Sequence, residues 1–164
     1  MLPLEKPERL EHLTAWRGEM PTYNIYTVGT AGERFLREIK DNGRLMGTRC
    51  TGCALTYVPP RIYCERCFAS LSEWKEVPGR GTVHTFTLAY YGLEGRRLER
   101  PDILALVRLE GAHGGLVHRL GGVEPSAVRI GMAVEMVLKP KGQRQGSILD
   151  IRYFRPARRA RRSP

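Results

Sequence analysis

Residues 50–67 read CTGCALTYVPPRIYCERC, and this stretch holds all 4 cysteines of the 164-residue chain. They form two pairs, Cys50-x2-Cys53 and Cys64-x2-Cys67, with ten residues between them. Thiols gathered this way can make a disulfide staple, a redox pair or a metal knot. The N-terminal MLPLEKPERLEHLTAW scatters charge and lacks the apolar centre of a secretory signal. The expected compartment is therefore the cytoplasm, where stable disulfides are rare. A thioredoxin-like pair takes one CxxC beside a βαβ pattern; here there are two, and no such pattern surrounds them. The spacing fits a zinc ribbon. Each CxxC makes a tight knuckle that turns two sulfurs toward one point, and two knuckles on facing hairpins complete a tetrahedral four-thiolate shell. Gly52 lies inside the first knuckle, where a backbone free of Cβ strain helps. Cys50, Cys53, Cys64 and Cys67 are thus the expected ligands of one zinc per chain, with iron as the competitor for the same shell. A closed shell leaves no position for a reactive water, so the expected role is structural.

Outward from the cysteines, the period of the apolar residues changes. Upstream, AGERFLREIKDNG from Ala31 sets Phe35, Leu36 and Ile39 at helical spacing. Thr30 is the expected cap, with Glu33 as its capping-box partner, and Asn42-Gly43 ends the helix. Residues 1–30 mix charge, three prolines and the aromatics Trp16, Tyr23 and Tyr26 without a clear period. Either the helix packs on its own domain, or residues 1–42 reach onto a partner, with Trp16 and Tyr23 as anchors.

Downstream the period is two. GTVHTFTLAYYGL (81–93) sets His84, Phe86, Leu88 and Tyr90 on one face. DILALVRLEG (102–111) is apolar on both faces, and GGLVHRLGGV (114–123) alternates Leu116, His118 and Leu120. VEPSAVRIGM (123–132) reads as a helical turn. AVEMVLKPKG (133–142) alternates Val134, Met136 and Leu138, and SILDIRYFRP (147–156) sets Leu149, Ile151 and Tyr153 on one face. Five strands with a helical turn between the third and fourth match an OB-fold. The expected chain is mainly β: an N-terminal arm and helix (1–42), a rubredoxin-like zinc ribbon (43–73), a C-terminal five-stranded OB-fold barrel (74–156) and a basic disordered tail (157–164).

This order of parts, together with GERFLREIKDNGRLMGTRC, the CTGC and CERC knuckles, YVPPR, EWKEVPGRGTVHTFT and GSILDIRYFRP, resembles the DUF35 family of zinc-ribbon OB-fold proteins associated with acyl-CoA enzymes. The resemblance covers residues 31–155. It implies a small non-catalytic subunit bound to a thiolase or thiolase-like condensing enzyme, or in some members to a hydratase-type protein. It carries over Cys50, Cys53, Cys64 and Cys67 as metal ligands and supplies no catalytic residues.

The remaining chemistry agrees. Thiolase chemistry needs an activated cysteine nucleophile, and all four cysteines sit at metal-ligand spacing. His84 and His118 lie among apolar strand residues and read as core or rim histidines, and His113 in GAHGG as a turn residue; His12 lies in the arm. No Gly-x-Ser-x-Gly elbow and no GxxxxGK[ST] loop is present. The 41% apolar fraction supports a core, and no run of about 18 apolar residues spans a membrane. The formal charge of +10 invites a second reading, a single-stranded nucleic-acid binder. Half of that excess, however, lies in the five arginines of RPARRARRSP (155–164). The second and third strands also lack the aromatic platforms on which single strands stack. Coenzyme A phosphates are another use for the charge, with Arg61, Arg80, Lys139 and Lys141 as candidates.

Overall fold

A helix that carries Ala31, Phe35 and Ile39 at intervals of four buries one stripe against whatever follows it. In the computed structural model, which describes residues 26–92 and 94–157, this helix is α1 (Gly29–Asn42), and those three residues are its buried ones. It ends as expected. Gly43 is left-handed at φ 69, and the N–H groups of Gly43 and Arg44 return to the carbonyls of Ile39 and Glu38. Its start differs from the expected Thr30 cap. Gly29, at φ 67, turns the chain in early, so Thr30 already lies in the first turn. Val28 stands at the cap with no side-chain bond, and Glu33 is held by Arg37 instead. Residues 1–25, including His12, Trp16 and Tyr23, lie outside the described residues.

Three short strands follow: β1 (Leu45–Arg49), β2 (Thr56–Val58) and β3 (Glu73–Val77), with β1 central and antiparallel to both neighbours. Gly47 is required here, because a Cβ would sit 2.7 Å from the Tyr57 carbonyl oxygen. Only Pro78 and Gly79 separate β3 from the next strand.

The barrel is built from β4 (Arg80–Tyr91), β5 (Arg97–Leu109), β6 (His113–Leu120), β7 (Ala133–Leu138) and β8 (Ile151–Pro156). Antiparallel pairing runs β6-β5-β4-β7-β8. A parallel contact at Leu120 and Phe154, backed by a 2.8 Å bond from Gly121 N–H to the Phe154 carbonyl, closes the ring. A single 3-10 turn, Pro125–Ala127, lies between β6 and β7. This is the five-stranded OB-fold. In addition β2 pairs in parallel with β6 at Tyr57–His113 and Val58–Gly114, so all 8 strands belong to one sheet.

Inside the barrel, Ile103, Ala105, Val107 and Leu109 of β5 face Leu116 and Leu120 of β6, Val134 of β7 and Phe154 of β8 in one buried cluster. Two faces differ from the alternation expected of them. Val83 pairs with Val107 and Thr85 with Leu106, leaving His84 as the extra residue of a β-bulge. The bulge flips parity, so Val83 is buried, Phe86 and Leu88 pack inward, and His84 and Tyr90 are exposed. In β8, Arg152 is the extra residue between the Leu138–Ile151 and Val137–Tyr153 pairs. Ile151 and Phe154 therefore both point inward, while Leu149 is exposed in a 3-10 turn, Ile148–Asp150. Both bulges bend a long strand around a small barrel.

The connection from β7 to β8 ties the helix down. Buried Asp150 accepts backbone N–H bonds from Gln145, Gly146 and Ser147 at 2.9, 2.7 and 3.2 Å. Arg144 donates to the Lys139 carbonyl at 2.8 Å and reaches the carbonyl of Ile39 near the end of α1. Phe35 and Ile39 join the barrel's own core, so the helix packs on its own domain. No helix among the described residues is long and apolar enough to cross a membrane.

Candidate metal centre

Two hairpin knuckles at the outer end of β1, β2 and β3 bring the four cysteines together. The Sγ atoms of Cys50, Cys53, Cys64 and Cys67 all lie within 4.8 Å of one another. Cys50 and Cys67 are the close pair at 3.5 Å, far beyond a disulfide bond of about 2.05 Å. Each knuckle is shaped by backbone bonds. In the first, Cys50 N–H donates to the Leu55 carbonyl at 2.8 Å, and Cys53 N–H points at Cys50 Sγ at 3.4 Å. In the second, Cys64 N–H donates to Ala69 and Phe68 N–H to the Cys64 carbonyl, both at 2.9 Å. The chain leaves both knuckles through a left-handed residue, Ala54 at φ 57 and Phe68 at φ 58. Gly52, expected to relieve strain, is not among the left-handed glycines and has open space where a Cβ would stand.

Behind the sulfurs stands Tyr57 of β2, a fully buried ring. Its hydroxyl lies 3.3 Å from Cys64 Sγ. That hydrogen bond, with backbone N–H groups of Cys67 and Arg66, lowers the Cys64 thiol to about 6. The same bond pushes the Tyr57 hydroxyl up to about 12. Cys53 is pushed up to about 12, first by its bond to Cys67 and then by burial. Four thiols crowded this closely cannot all ionise without mutual repulsion. A cation placed among them removes that conflict, since metal binding displaces thiol protons. Four soft sulfur donors at tetrahedral reach, two of them buried, fit a thiophilic metal.

Sequence reasoning missed the residues around Tyr57. The edge of His113 meets the Tyr57 ring at 5.6 Å, and Arg61 lies 5.1 Å over it. Glu65 joins the two, paired with Arg61 and 3.2 Å from His113 Nε2. His113, expected in a turn, is the first residue of β6 and is brought here by the parallel β2–β6 contact. Buried Thr48 fastens the second hairpin, donating to the Arg61 carbonyl and accepting its N–H, both at 2.9 Å. Of the other candidates, Arg80 opens β4, and Lys139 and Lys141 lie after β7, on different elements from Arg61. His84 is exposed on its bulge. His118 is buried in the barrel, with Nε2 3.3 Å from the Ile148 carbonyl.

Comparison with known proteins follows the same division. Residues 37–72 match the description "ChsH2, rubredoxin-like zinc ribbon domain" and residues 74–139 match "ChsH2, C-terminal OB-fold domain". A DUF35 domain-containing scaffold protein of Methanocaldococcus jannaschii is 31% identical over 65% of this chain and 75% of its own length. One from Pyrococcus furiosus is 34% identical over 75% of this chain and 90% of its own. Among solved structures, the Ltp2-ChsH2(DUF35) aldolase superposes with a TM-score of 0.59 at 25% identity, covering 84% of this chain and 98% of that one. With the zinc-ribbon knuckles, the OB-fold barrel and these relatives in agreement, the chain belongs to the DUF35 family.

Proposed function

We propose that this chain is a non-catalytic scaffold subunit of a thiolase-type acyl-CoA enzyme complex, organised around one structural zinc held by Cys50, Cys53, Cys64 and Cys67. The observation that carries this is the fate of the thiols. All four cysteines converge in one sulfur cluster, so none is left as the activated nucleophile that thiolase chemistry needs. The catalytic cysteine must come from a partner. The scaffold role of the archaeal relatives supports assembly with an enzyme, as does a structural neighbour named for an aldolase and a DUF35 chain together.

The functional division is an N-terminal arm and helix (1–42), the ribbon, expected over 43–73 and carried by β3 on to Val77, the barrel, whose first strand opens at Arg80 and which runs to 156, and the basic tail (157–164). The working compartment is the cytoplasm, where four reduced thiols are kept available to metal. The outer faces of β5 and β6 weigh against an oligonucleotide. They present Leu104, Leu106 and Val117 and an Asp102–Arg119 ion pair at 3.0 Å, with no aromatic platform. The test is co-expression with the thiolase-type enzyme of the native host, followed by size-exclusion chromatography and metal analysis. The expected result is a common peak with one zinc per chain. Turnover by the isolated chain at roughly 1 s⁻¹ or more, a common enzyme rate, contradicts the scaffold role.

A further inference from the structure

The two knuckles, CTGCA and CERCF, end in the same backbone conformation and differ most in the side chain that fills it. Each is left through a left-handed position, filled by Ala54 in the first and Phe68 in the second. That conformation suits glycine, or asparagine, and strains any larger side chain. Phenylalanine is a poor choice for the fold, and the fold gains no burial from it, since Phe68 is 80% exposed. A strained residue whose side chain serves no packing points to a role outside the fold. Ile62 and Tyr63, on the same hairpin, are 51% and 59% exposed. From 61 to 70, Cys64 alone is buried. Beside this tip runs a groove lined by Ala31, Arg34, Ile62, Leu71 and Trp74.

Charge selects what covers it. Arg34 lies 4.3 Å over the Trp74 ring with Glu38, already bonded to Arg44, as its nearest carboxylate influence, and neither Arg34 nor Arg66 forms an ion pair within 4 Å among the described residues. Glu65, the one acid of the hairpin, is already engaged by Arg61 and His113. The tip is therefore apolar with a cationic rim. A second copy would set arginine against arginine on a chain of net charge +10. We infer that Ile62, Tyr63 and Phe68, rimmed by Arg34 and Arg66, dock into an apolar hollow edged by carboxylates on the thiolase-type partner. This surface rests on the scaffold reading above.

Phe68→Gly separates docking from folding, because glycine relieves the backbone while deleting the anchor. The chain is titrated against the purified thiolase-type enzyme, with thermal melting of the free subunit in parallel. The expected result is an unchanged or raised Tm and an affinity lowered about 30-fold, the scale of an interface hot spot. Arg66→Glu should weaken binding and flatten its dependence on salt. Failure of the unsubstituted chain to bind overturns the scaffold reading and this surface with it. Binding by the unsubstituted chain with unchanged affinity in Phe68→Gly overturns the surface alone. So does a dimer of the free chain that Phe68→Gly dissociates, or a labelled oligothymidine of about 20 nucleotides that binds at the tip and is released by it.

Discussion

The barrel buries Val83, Val107, Val134, Ile151 and Phe154 to 1% exposure or less, whereas the ribbon's own cluster consists of Cys50, Tyr57, Cys64 and Leu71. Full burial of a large aliphatic or aromatic side chain contributes about 1.5–3 kcal/mol. The barrel collects many such terms; the ribbon's cluster collects two, Tyr57 and Leu71, and its other two members are thiols. One continuous sheet thus carries two kinds of core, one closed by hydrocarbon and one left for a metal to close. The border between them lies inside the ribbon's strands, since Leu45, Val58 and Val77 pack into the barrel cluster.

The strongest way to break this comparison is to strip the metal. Chelation, or Cys64→Ser, should unfold the knuckles, because structural zinc sites contribute on the order of 10 kcal/mol to folding. Amide exchange of residues 50–70 should rise by orders of magnitude while β4–β8 stay protected. Loss of barrel protection together with the ribbon would show one cooperative core instead of two. The reciprocal cut is Phe154→Ala, which should lower global stability by about 3–5 kcal/mol and leave metal stoichiometry unchanged at temperatures below the new melting point. Tyr57→Phe sharpens the comparison at the ribbon. Removing the hydroxyl beside Cys64 should weaken metal affinity by about 10–100-fold, the usual effect of outer-shell bonds, as read by competition with a chromophoric chelator. The smallest effect belongs to His118. Burial holds its imidazole below the ordinary range, against a bond to the Ile148 carbonyl that favours the charged form. The unfolded chain then binds the extra proton first, so barrel stability should decline as pH falls below about 6.5. His118→Leu should flatten that decline between pH 7 and 5. An unchanged slope would assign the acid response to other groups.

The ribbon was legible because its chemistry is local. Two CxxC pairs declare a sulfur cluster without any knowledge of tertiary contacts, and the structure brings those four residues together. The barrel's strands were legible from period two, but their faces were not. The bulges at His84 and Arg152 add one residue without changing the apolar pattern, and where a strand bends depends on its partners' register. The Thr30 cap failed for a related reason. Thr30 and Glu33 have the right spacing, and the left-handed turn at Gly29 overrides it. The environment of Tyr57 was beyond reach, because His113 arrives from 56 positions away through parallel strand pairing. Pairing of that kind leaves no mark on either segment alone.

That same pairing has a mechanical consequence. A ribbon tethered by a loose peptide would swing through a cone, and whatever it held would swing with it. Here the connection is two residues on one side, Pro78 and Gly79, and a shared ladder at Tyr57 and Val58 on the other. Two attachments at separate points remove the swivel. The knuckles and the barrel are thereby parts of one sheet. A partner bound at the knuckles would therefore be held in a fixed relation to the barrel, without a hinge to be locked first.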